Sequence, residues 1–286
     1  MIMMNVPTIA NRSILTPTSG FLGSEMTHTL NAYSGCSHAG SLCGTYCYAQ
    51  HNPFIVKGRS WGLYGVKADV VGAYRRDFDR VKRPRRGEPK PLRIYMSSVT
   101  DPYLPQEKRL GVTESLLAEM LTRLPDTLVI QTHSVLVVRD LELIVKLSAR
   151  CRVWLSITVE TDMTEIPGLP PQIVSPVRRI ETLMRFRERG VLTRAAVSPL
   201  CPIRNVERFA GQLNLAADEI ALDHWLLGDG SKNGARTKRT DFPKLLEAAG
   251  YGEWNKLDKF YDVVDVFRSV AGAGRVTICN EGMESL

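Results

Sequence analysis

Short apolar runs rich in β-branched residues alternate with longer amphipathic segments along most of the chain. The short runs predict strands, and the segments with apolar residues at helical spacing predict helices. The predicted strands are residues 27–31, 92–96, 128–132, 153–158, 193–197 and 219–222. The predicted helices are residues 66–81, 112–124, 136–149, 176–189 and 206–215. Strands that alternate with helices in this way predict an α/β fold with a parallel sheet.

No repeat, low-complexity tract or long linker divides the chain. We therefore predict an N-terminal extension (1–24), one catalytic core (25–227) and a C-terminal extension (228–286) that covers the open side of the core. With 286 residues, 44% of them hydrophobic, the chain can bury one large core or two modest ones. It has no apolar run of about 18 residues to span a membrane. The first residues do not resemble a secretory signal, so we expect a cytoplasmic protein.

Polar residues cluster where the predicted strands end. In parallel sheets and barrels, ligands bind at the carboxyl ends of the strands, which makes these residues candidates for a binding site. Alternate residues of a strand share a face, so Ser156, Thr158 and Glu160 are predicted to point the same way, either toward a ligand or toward solvent. The candidates at the strand ends are Ser97, Ser98, Thr100, Asp101, His133, Ser156, Thr158, Glu160, Ser198, Asp223 and His224.

Three of the six cysteines lie close together in the loop after the first predicted strand. Cys36, Cys43 and Cys47 are separated by six and then three residues, so their thiolates can converge on one inorganic centre. Such a site suits iron–sulfur or zinc and leaves one coordination position open. His38 as a fourth ligand of a structural zinc is an alternative. The remaining cysteines stand in or beside apolar runs and are interpreted as core residues: Cys151, Cys201 and Cys279.

The formal net charge of +7 would attract anions. Much of the excess falls within residues 75–90, which we interpret as a solvated basic turn, with a nucleic-acid contact as the alternative. A second basic stretch, residues 232–239, lies in the C-terminal extension and would favour an anionic acceptor.

Several segments together resemble the radical S-adenosylmethionine (SAM) superfamily, within it the spore photoproduct lyase-like branch. The resemblance runs from about residue 31 to 215. It rests on Asn31-Ala32-Tyr33-Ser34-Gly35-Cys36, Tyr46-Cys47-Tyr48-Ala49, Val66-Lys67-Ala68, Thr100-Asp101-Pro102-Tyr103-Leu104-Pro105, Thr132-His133-Ser134, Arg139-Asp140-Leu141, Ser175-Pro176, Arg178-Arg179 and Ser198-Pro199-Leu200-Cys201-Pro202.

This resemblance implies a partial (β/α)6 TIM-type barrel. It also implies a [4Fe–4S] cluster on Cys36, Cys43 and Cys47, with SAM on the fourth iron and a reductant such as flavodoxin or ferredoxin as partner. Reductive cleavage of SAM would then start radical chemistry on the substrate. The residues that the resemblance places around SAM are Tyr46, Ser97, Ser98, Thr100, Asp101, His133, Ser156, Thr158, Glu160 and Ser198.

Three features depart from the family pattern. The cysteine gaps are usually three and two residues, and the wider spacing here raises the alternative of transferring a 3-amino-3-carboxypropyl group to a small acceptor such as arsenite. His133 stands where relatives commonly have lysine, and histidine carries charge less reliably near neutral pH. The lyases use a cysteine hydrogen donor where this chain has Met96-Ser97-Ser98, so we do not expect repair of thymine dimers.

The catalytic group and the substrate are not identified by the sequence. Cys279, Asp223 and His224 are the candidates for the catalytic group. The substrate is expected to be a small molecule or nucleotide-like. Two other functional classes are alternatives, a zinc-stabilised nucleic-acid-binding protein and a cluster-bearing scaffold without turnover.

Overall fold

A computed structural model describes residues 6–18, 22–56, 58, 60–83 and 90–278. The strands are β1 (Thr8–Ile9), β2 (Leu15–Pro17), β3 (His28–Leu30), β4 (Tyr33–Ser34), β5 (Gly65–Lys67), β6 (Arg93–Met96), β7 (Thr127–Thr132), β8 (Arg152–Thr158), β9 (Leu192–Val197), β10 (Glu219–Leu222) and β11 (Val276–Ile278). The α-helices are α1 (Leu22–Glu25), α2 (Leu42–Tyr46), α3 (Pro53–Val56), α4 (Val70–Lys82), α5 (Glu107–Leu110), α6 (Val112–Met120), α7 (Leu141–Ser148), α8 (Pro176–Glu188), α9 (Val206–Ala216), α10 (Trp225–Gly228), α11 (Phe242–Ala248) and α12 (Leu257–Ala271). Short 3-10 helices span Tyr48–His51, Val135–Asp140, Lys232–Gly234, Thr237–Arg239, Gly252–Asn255 and Ala273–Arg275.

Within the described residues, the larger sheet has eight strands in the order β11-β10-β9-β8-β7-β6-β3-β2. All neighbouring pairs are parallel except β2 with β3. Helices connect the parallel strands, so the strands all end at the same edge of the sheet. The architecture is the predicted α/β partial TIM-type barrel. A small sheet, β1-β5-β4, stands beside it.

The six predicted strands are all present, with ends that shift by one residue at most. The C-terminal extension adds a seventh parallel strand, because β11 pairs with β10. Its helix α12 packs against α9, and Phe267 meets Phe209 edge to face with ring centroids 5.9 Å apart. The extension therefore contributes to the core as well as to the open side of the barrel.

The predicted helix 66–81 begins four residues later than expected. Residues 66–67 belong to strand β5, and the helix begins at Val70. Its N-cap is Asp69, whose side chain accepts a hydrogen bond from Gly72 N at 3.1 Å. An aspartate at this position satisfies a free N–H of the first turn, which sets the start of the helix. The predicted helix 136–149 also begins differently, with a 3-10 turn before α7.

The main core lies between the sheet and its helices and consists mostly of leucine, isoleucine, valine and phenylalanine. A second, small cluster joins Met26, Val129 and Trp154, with Tyr95 packed against it. Val129 pairs in register with both Tyr95 and Trp154, one row nearer the amino ends of the strands than Gln131. This cluster forms an apolar floor beneath the strand ends. Across the described ranges, no helix is long and apolar enough to cross a membrane.

Candidate active site at the carboxyl ends of the strands

A cavity of ≈ 260 Å³ lies at the carboxyl ends of the strands. Two of the three loop cysteines, Cys43 and Cys47, line it. Of the other candidates from the sequence, the structure places eight in its wall: Tyr46, Ser97, Ser98, His133, Ser156, Thr158, Ser198 and Asp223. The predicted site therefore forms one continuous surface, although its residues come from six separate segments of the chain.

Helix α2 positions the second and third cysteines. Cys43 lies within α2 and Cys47 is its C-cap, so the two are four residues apart and lie on one face. Ser41 caps the start of the helix by accepting a hydrogen bond from Gly44 N at 3.3 Å. A Cβ on Gly44 would lie 2.3 Å from the carbonyl oxygen of His38, so only glycine permits this tight turn.

The first cysteine is held by different contacts. Cys36 is buried and follows Gly35, which has a φ of 79° and whose carbonyl accepts a hydrogen bond from Thr100 Oγ1 at 2.8 Å. A Cβ on Gly35 would lie 2.1 Å from the carbonyl oxygen of Leu63. The loop is thus fixed against the strand ends on one side and the segment before β5 on the other.

The thiols influence one another electrostatically. Burial raises the pKa of Cys36 to about 12, and the charge of Cys47 contributes to this rise. Burial also raises the pKa of Cys47 to about 11 and that of Cys43 well above its usual value. Ionised thiols are unfavourable in this environment unless a cation binds them. In the described part of the chain, no three His, Cys, Asp or Glu side chains are already arranged to hold a metal ion.

Behind the cysteine loop, Tyr46 is joined to two strand ends. Its hydroxyl donates to Glu160 Oε1 at 2.6 Å and lies 3.0 Å from His133 Nε2. Arg179, which is only 1% exposed, forms an ion pair with Glu160 Oε2 and donates to the Thr158 carbonyl at 2.6 Å. Burial opposes ionisation of Glu160, but the charges of Arg179 and His133 and the hydrogen bond from Tyr46 together outweigh it and lower the pKa to about 2. Glu160 is therefore a charged anchor for Tyr46.

Asp101 anchors the strand ends on the other side of His133. Its Oδ1 accepts hydrogen bonds from Thr132 Oγ1 and Tyr103 N, both at 2.7 Å, and its Oδ2 accepts from His133 N at 2.8 Å. Burial opposes its ionisation, but the hydrogen bond and charge of His133 and the charge of His38 lower its pKa. His133 thus stands between two carboxylates, those of Asp101 and Glu160.

Ser97 has an unusual backbone conformation, with a φ of 81°. Non-glycine residues rarely adopt this region, and the surrounding structure must hold them there. Its N–H donates to the Leu30 carbonyl at 2.9 Å, and its hydroxyl donates to the Thr100 carbonyl. The following Ser98 accepts a hydrogen bond from Asn31 Nδ2 at 3.1 Å. These contacts turn the chain after β6 so that both serines line the cavity.

Five candidates from the sequence do not line the cavity: Cys36, Thr100, Asp101, Glu160 and His224. Glu160 departs from the predicted alternation because strand β8 ends at Thr158. Both ring nitrogens of His224 are engaged elsewhere, since Nδ1 accepts from Leu226 N and Nε2 lies 3.1 Å from the Trp254 carbonyl oxygen. It caps α10 and has no contact with the cavity. Cys279 lies outside the described residues.

Sequence reasoning missed several residues of the wall, Arg194 among them. Gln131, Ser156 and Arg194 stand side by side in the register of β7, β8 and β9, and all three line the cavity. Gln131 donates to Thr158 Oγ1 at 2.6 Å. Arg194 forms an ion pair with Glu219 at 3.0 Å and lies over the ring of Trp154. The position of Arg194, a charged residue in the middle of the apolar run of β9, is the signal in the sequence that could have identified it.

The segment after β10 closes part of the cavity, and we call residues 225–241 the cap. Trp225, Gly228, Asp229 and Thr237 of the cap line the cavity. Asp229 holds it together, because its carboxylate accepts from the backbone N–H groups of Ser231, Arg236 and Thr237.

Two aromatic contacts join this region to the cysteine loop. The Arg236 guanidinium lies 5.7 Å from the ring centroid of Tyr48. Phe242, just beyond the cap, packs edge to face on Tyr46 with ring centroids 5.6 Å apart. The cap and the cysteine loop are therefore packed against each other at the cavity.

Comparison with known proteins yields two sequence relatives, and no protein-family model matches the chain. An uncharacterized protein of Acidianus two-tailed virus is 29% identical over 225 residues, which cover 75% of this chain and 70% of the viral protein. An uncharacterized protein of Methanocaldococcus jannaschii is 31% identical over 195 residues, 65% of either chain.

Solved structures of spore photoproduct lyase resemble the fold. The lyase complexed with a dinucleoside spore photoproduct has a TM-score of 0.51 at 14% identity, and the match covers 76% of this chain and 61% of the lyase. A tyrosine-to-phenylalanine mutant of the lyase has a TM-score of 0.58 at 11% identity, covering 95% of this chain and 81% of the other. The chain therefore shares the fold of spore photoproduct lyase.

Proposed function

We propose that this protein is a radical SAM enzyme that binds a [4Fe–4S] cluster and SAM at the cavity and cleaves SAM reductively. The observation that carries the proposal is the wall of the cavity, where Cys43, Tyr46 and Cys47 of one loop face the polar carboxyl ends of parallel strands. The fold shared with spore photoproduct lyase supports it.

The residues present fit an iron–sulfur cluster. Cys36, Cys43 and Cys47 supply three soft ligands from one loop, and burial makes their ionisation depend on a bound cation. Binding requires the three side chains to turn toward one another on the fixed loop. When bound and reduced, the cluster supplies the electron that breaks a carbon–sulfur bond of SAM. We expect a small electron-transfer protein such as flavodoxin or ferredoxin to deliver that electron.

The remaining wall would hold SAM. Ser97, Ser98, Ser156, Thr158 and Ser198 present hydroxyl groups that can bind its amino, carboxylate and ribose groups. Within the described ranges, Ser156 Oγ has no hydrogen-bond partner, which leaves it available to a ligand.

His133 and Tyr46 would act together in this wall. They are joined at 3.0 Å, and the carboxylates of Asp101 and Glu160 stand behind them. This arrangement fixes His133 at the site where the family resemblance implies a lysine. Its role is to orient an anionic group of SAM.

One observation favours a second candidate, a structural zinc site. His38 is buried and lies two residues after Cys36, and its Nε2 has no hydrogen-bond partner among the residues that the structure describes. A zinc ion held by three cysteines and a histidine would use that nitrogen. Such a protein would contain zinc without SAM cleavage.

Anaerobic reconstitution followed by product analysis tests the proposal. The protein with iron and sulfide should be brown, should bleach near 400 nm on reduction, and should convert SAM to 5′-deoxyadenosine and methionine. Methylthioadenosine instead would show that the 3-amino-3-carboxypropyl group is released and would support transfer to a small acceptor. A colourless protein with one zinc ion and no SAM consumption would contradict both modes of SAM cleavage and would support the structural zinc site.

A further inference from the structure

Three polar atoms in the cavity wall have no hydrogen-bond partner in the part of the chain that the structure describes. They are Asp223 Oδ1, Trp225 Nε1 and Ser156 Oγ, and each belongs to a residue that is at most 6% exposed. Buried polar groups in folded proteins nearly always have a partner. Three such atoms around one cavity indicate a ligand that offers both donors and acceptors.

The carboxyl group of Asp223 is held in one position. The backbone N–H of Asp223 donates to the Val197 carbonyl at 3.0 Å, and the backbone carbonyl of Asp223 accepts from Leu200 N at 2.8 Å. Its Oδ2 accepts from Ser198 Oγ at 3.1 Å. A Cβ on Gly228 would lie 1.6 Å from that same Oδ2, so the carboxyl group is pressed against the backbone of α10. The partnerless Oδ1 is consequently a fixed acceptor.

No ion pair of Asp223 is found within the described ranges. The cation in the cavity wall, Arg194, is already paired with Glu219. Because burial is not compensated by a cation, the pKa of Asp223 rises to about 7. The basic side chains of the cap are exposed and do not line the cavity: Lys232, Arg236, Lys238 and Arg239.

We propose that Asp223 Oδ1 accepts a hydrogen bond from an N–H group of the substrate, an amide or an amine, while Trp225 Nε1 donates to an acceptor atom of the same molecule. The inference rests on the proposed function, because it takes the cavity to be shared by SAM and a substrate. An anionic acceptor fits less well, since it would meet a carboxyl group where the cap covers the site.

SAM itself carries N–H groups, so SAM and the substrate can each supply an N–H donor to Asp223 Oδ1. We assign the contact to the substrate. A substrate contact leaves the site free when SAM is bound, whereas a SAM contact makes the two ligands compete.

Anaerobic equilibrium dialysis of the cluster-loaded protein with three matched probes tests the assignment at about pH 8.5, where the Asp223 carboxyl group is ionised. The probes are benzamide, N,N-dimethylbenzamide, which lacks the N–H, and benzoate, which is an anion. Benzamide should bind at least about tenfold more tightly than the other two, because both leave the Asp223 acceptor unsatisfied. Saturating SAM should leave benzamide binding intact.

Variants separate the contact from a general effect on folding. Asp223→Ala should lose the preference for benzamide, and Asp223→Asn, of nearly equal size, should cease to discriminate against benzoate. Asp241→Asn is the matched control, an exposed aspartate at the end of the cap, and should behave as wild type. Circular dichroism of each variant confirms that it folds, and Asp223→Asn serves where Asp223→Ala does not.

The inference is overturned by equal binding of benzoate, by the absence of benzamide binding, or by competition with SAM. It is also overturned if Asp223→Asn discriminates as wild type does. Formation of 5′-deoxyadenosine by the same wild-type preparation decides the proposed function separately. Dialysis can therefore fail while SAM cleavage proceeds, and a preference for benzamide can be observed in a protein that does not cleave SAM.

Discussion

The cysteine side of the cavity and its C-terminal side each contain a buried carboxyl group, and the two are in opposite electrostatic situations. On the cysteine side, Glu160 is paired with Arg179 and accepts from Tyr46, and its pKa falls to about 2. On the C-terminal side, Ser198 Oγ donates to the carboxyl group of Asp223, which has no ion pair within the described residues, and its pKa rises to about 7.

This difference between the two carboxyl groups indicates a different role for each side of the cavity. A carboxylate whose oxygens both have partners within the protein holds those partners in place. Glu160 in this way fixes Tyr46 beside the cysteines. A carboxyl group with an unused oxygen is suited to a ligand that comes and goes. We therefore propose that the cysteine side is the permanent part of the site and that the C-terminal side binds the exchangeable ligand.

The largest effect is expected from the cysteines. Replacing Cys43 with alanine removes one of three proposed ligands, so bound iron and 5′-deoxyadenosine formation should both be abolished. Iron content and product analysis measure this. Cys151→Ala is the matched control, a partly buried cysteine outside the cavity wall, and should retain both. Full iron binding by Cys43→Ala would show that the cysteine side has been misassigned.

Breaking the buried ion pair of the cysteine side comes next. Arg179→Met leaves the Glu160 charge buried without a cation and should reduce the free energy of unfolding by about 3–5 kcal/mol in urea titrations. The double variant with Glu160→Gln should recover much of that loss. As its control, Arg189→Met removes an exposed ion pair with Glu142 and should cost about 0–1 kcal/mol. Similar losses in the two single variants would contradict the role of burial.

Asp223→Asn tests the C-terminal side through pH. The folded protein holds the proton of Asp223 up to about pH 7, whereas the usual value of an aspartate is 3.8. Wild-type stability should therefore decrease relative to the variant as pH rises from about 4 to 7, by about 1.4 kcal/mol per pH unit, and then level off. Urea titrations across this range measure the difference. Parallel stability profiles would show that Asp223 ionises normally in the folded state.

The smallest effect is expected from Gly228→Ala, which crowds the Asp223 carboxyl group. Its Cβ would meet Oδ2 at 1.6 Å, so the carboxyl group must shift, at a cost of about 1–3 kcal/mol of stability. Gly211→Ala is the matched control, because a Cβ there meets no atom within 4 Å. In helix α9 it should stabilise the protein by up to about 1 kcal/mol. Thermal unfolding distinguishes the two, and equal shifts would contradict the close contact at Asp223.

Much of the fold could be predicted from local patterns. The six strands appear where β-branched runs place them, because a buried parallel strand needs such residues. The start of helix α4 could not be predicted from periodicity, since Val66 pairs with residues of two other strands. Pairing with distant segments overrides local preference there.

The candidate site was predicted in part. The serines and threonines at strand ends were found because parallel strands must end at one edge. Glu160 and His224 were assigned to the site as well, yet the structure directs them to Arg179 and to the Trp254 carbonyl oxygen. The direction of a polar side chain past the end of a strand depends on neighbours that no local pattern specifies.

The sequence by itself determined the α/β architecture, the spacing of the three cysteines and the set of polar residues that could meet at the strand ends. Only the tertiary structure decided that Glu160 receives a cation while Asp223 does not, and that the cap presents Asp229 and Trp225 to the cavity rather than its lysines and arginines. The physical reason is that burial and charge pairing depend on packing between segments far apart in the chain. The local sequence does not specify which of these segments come into contact.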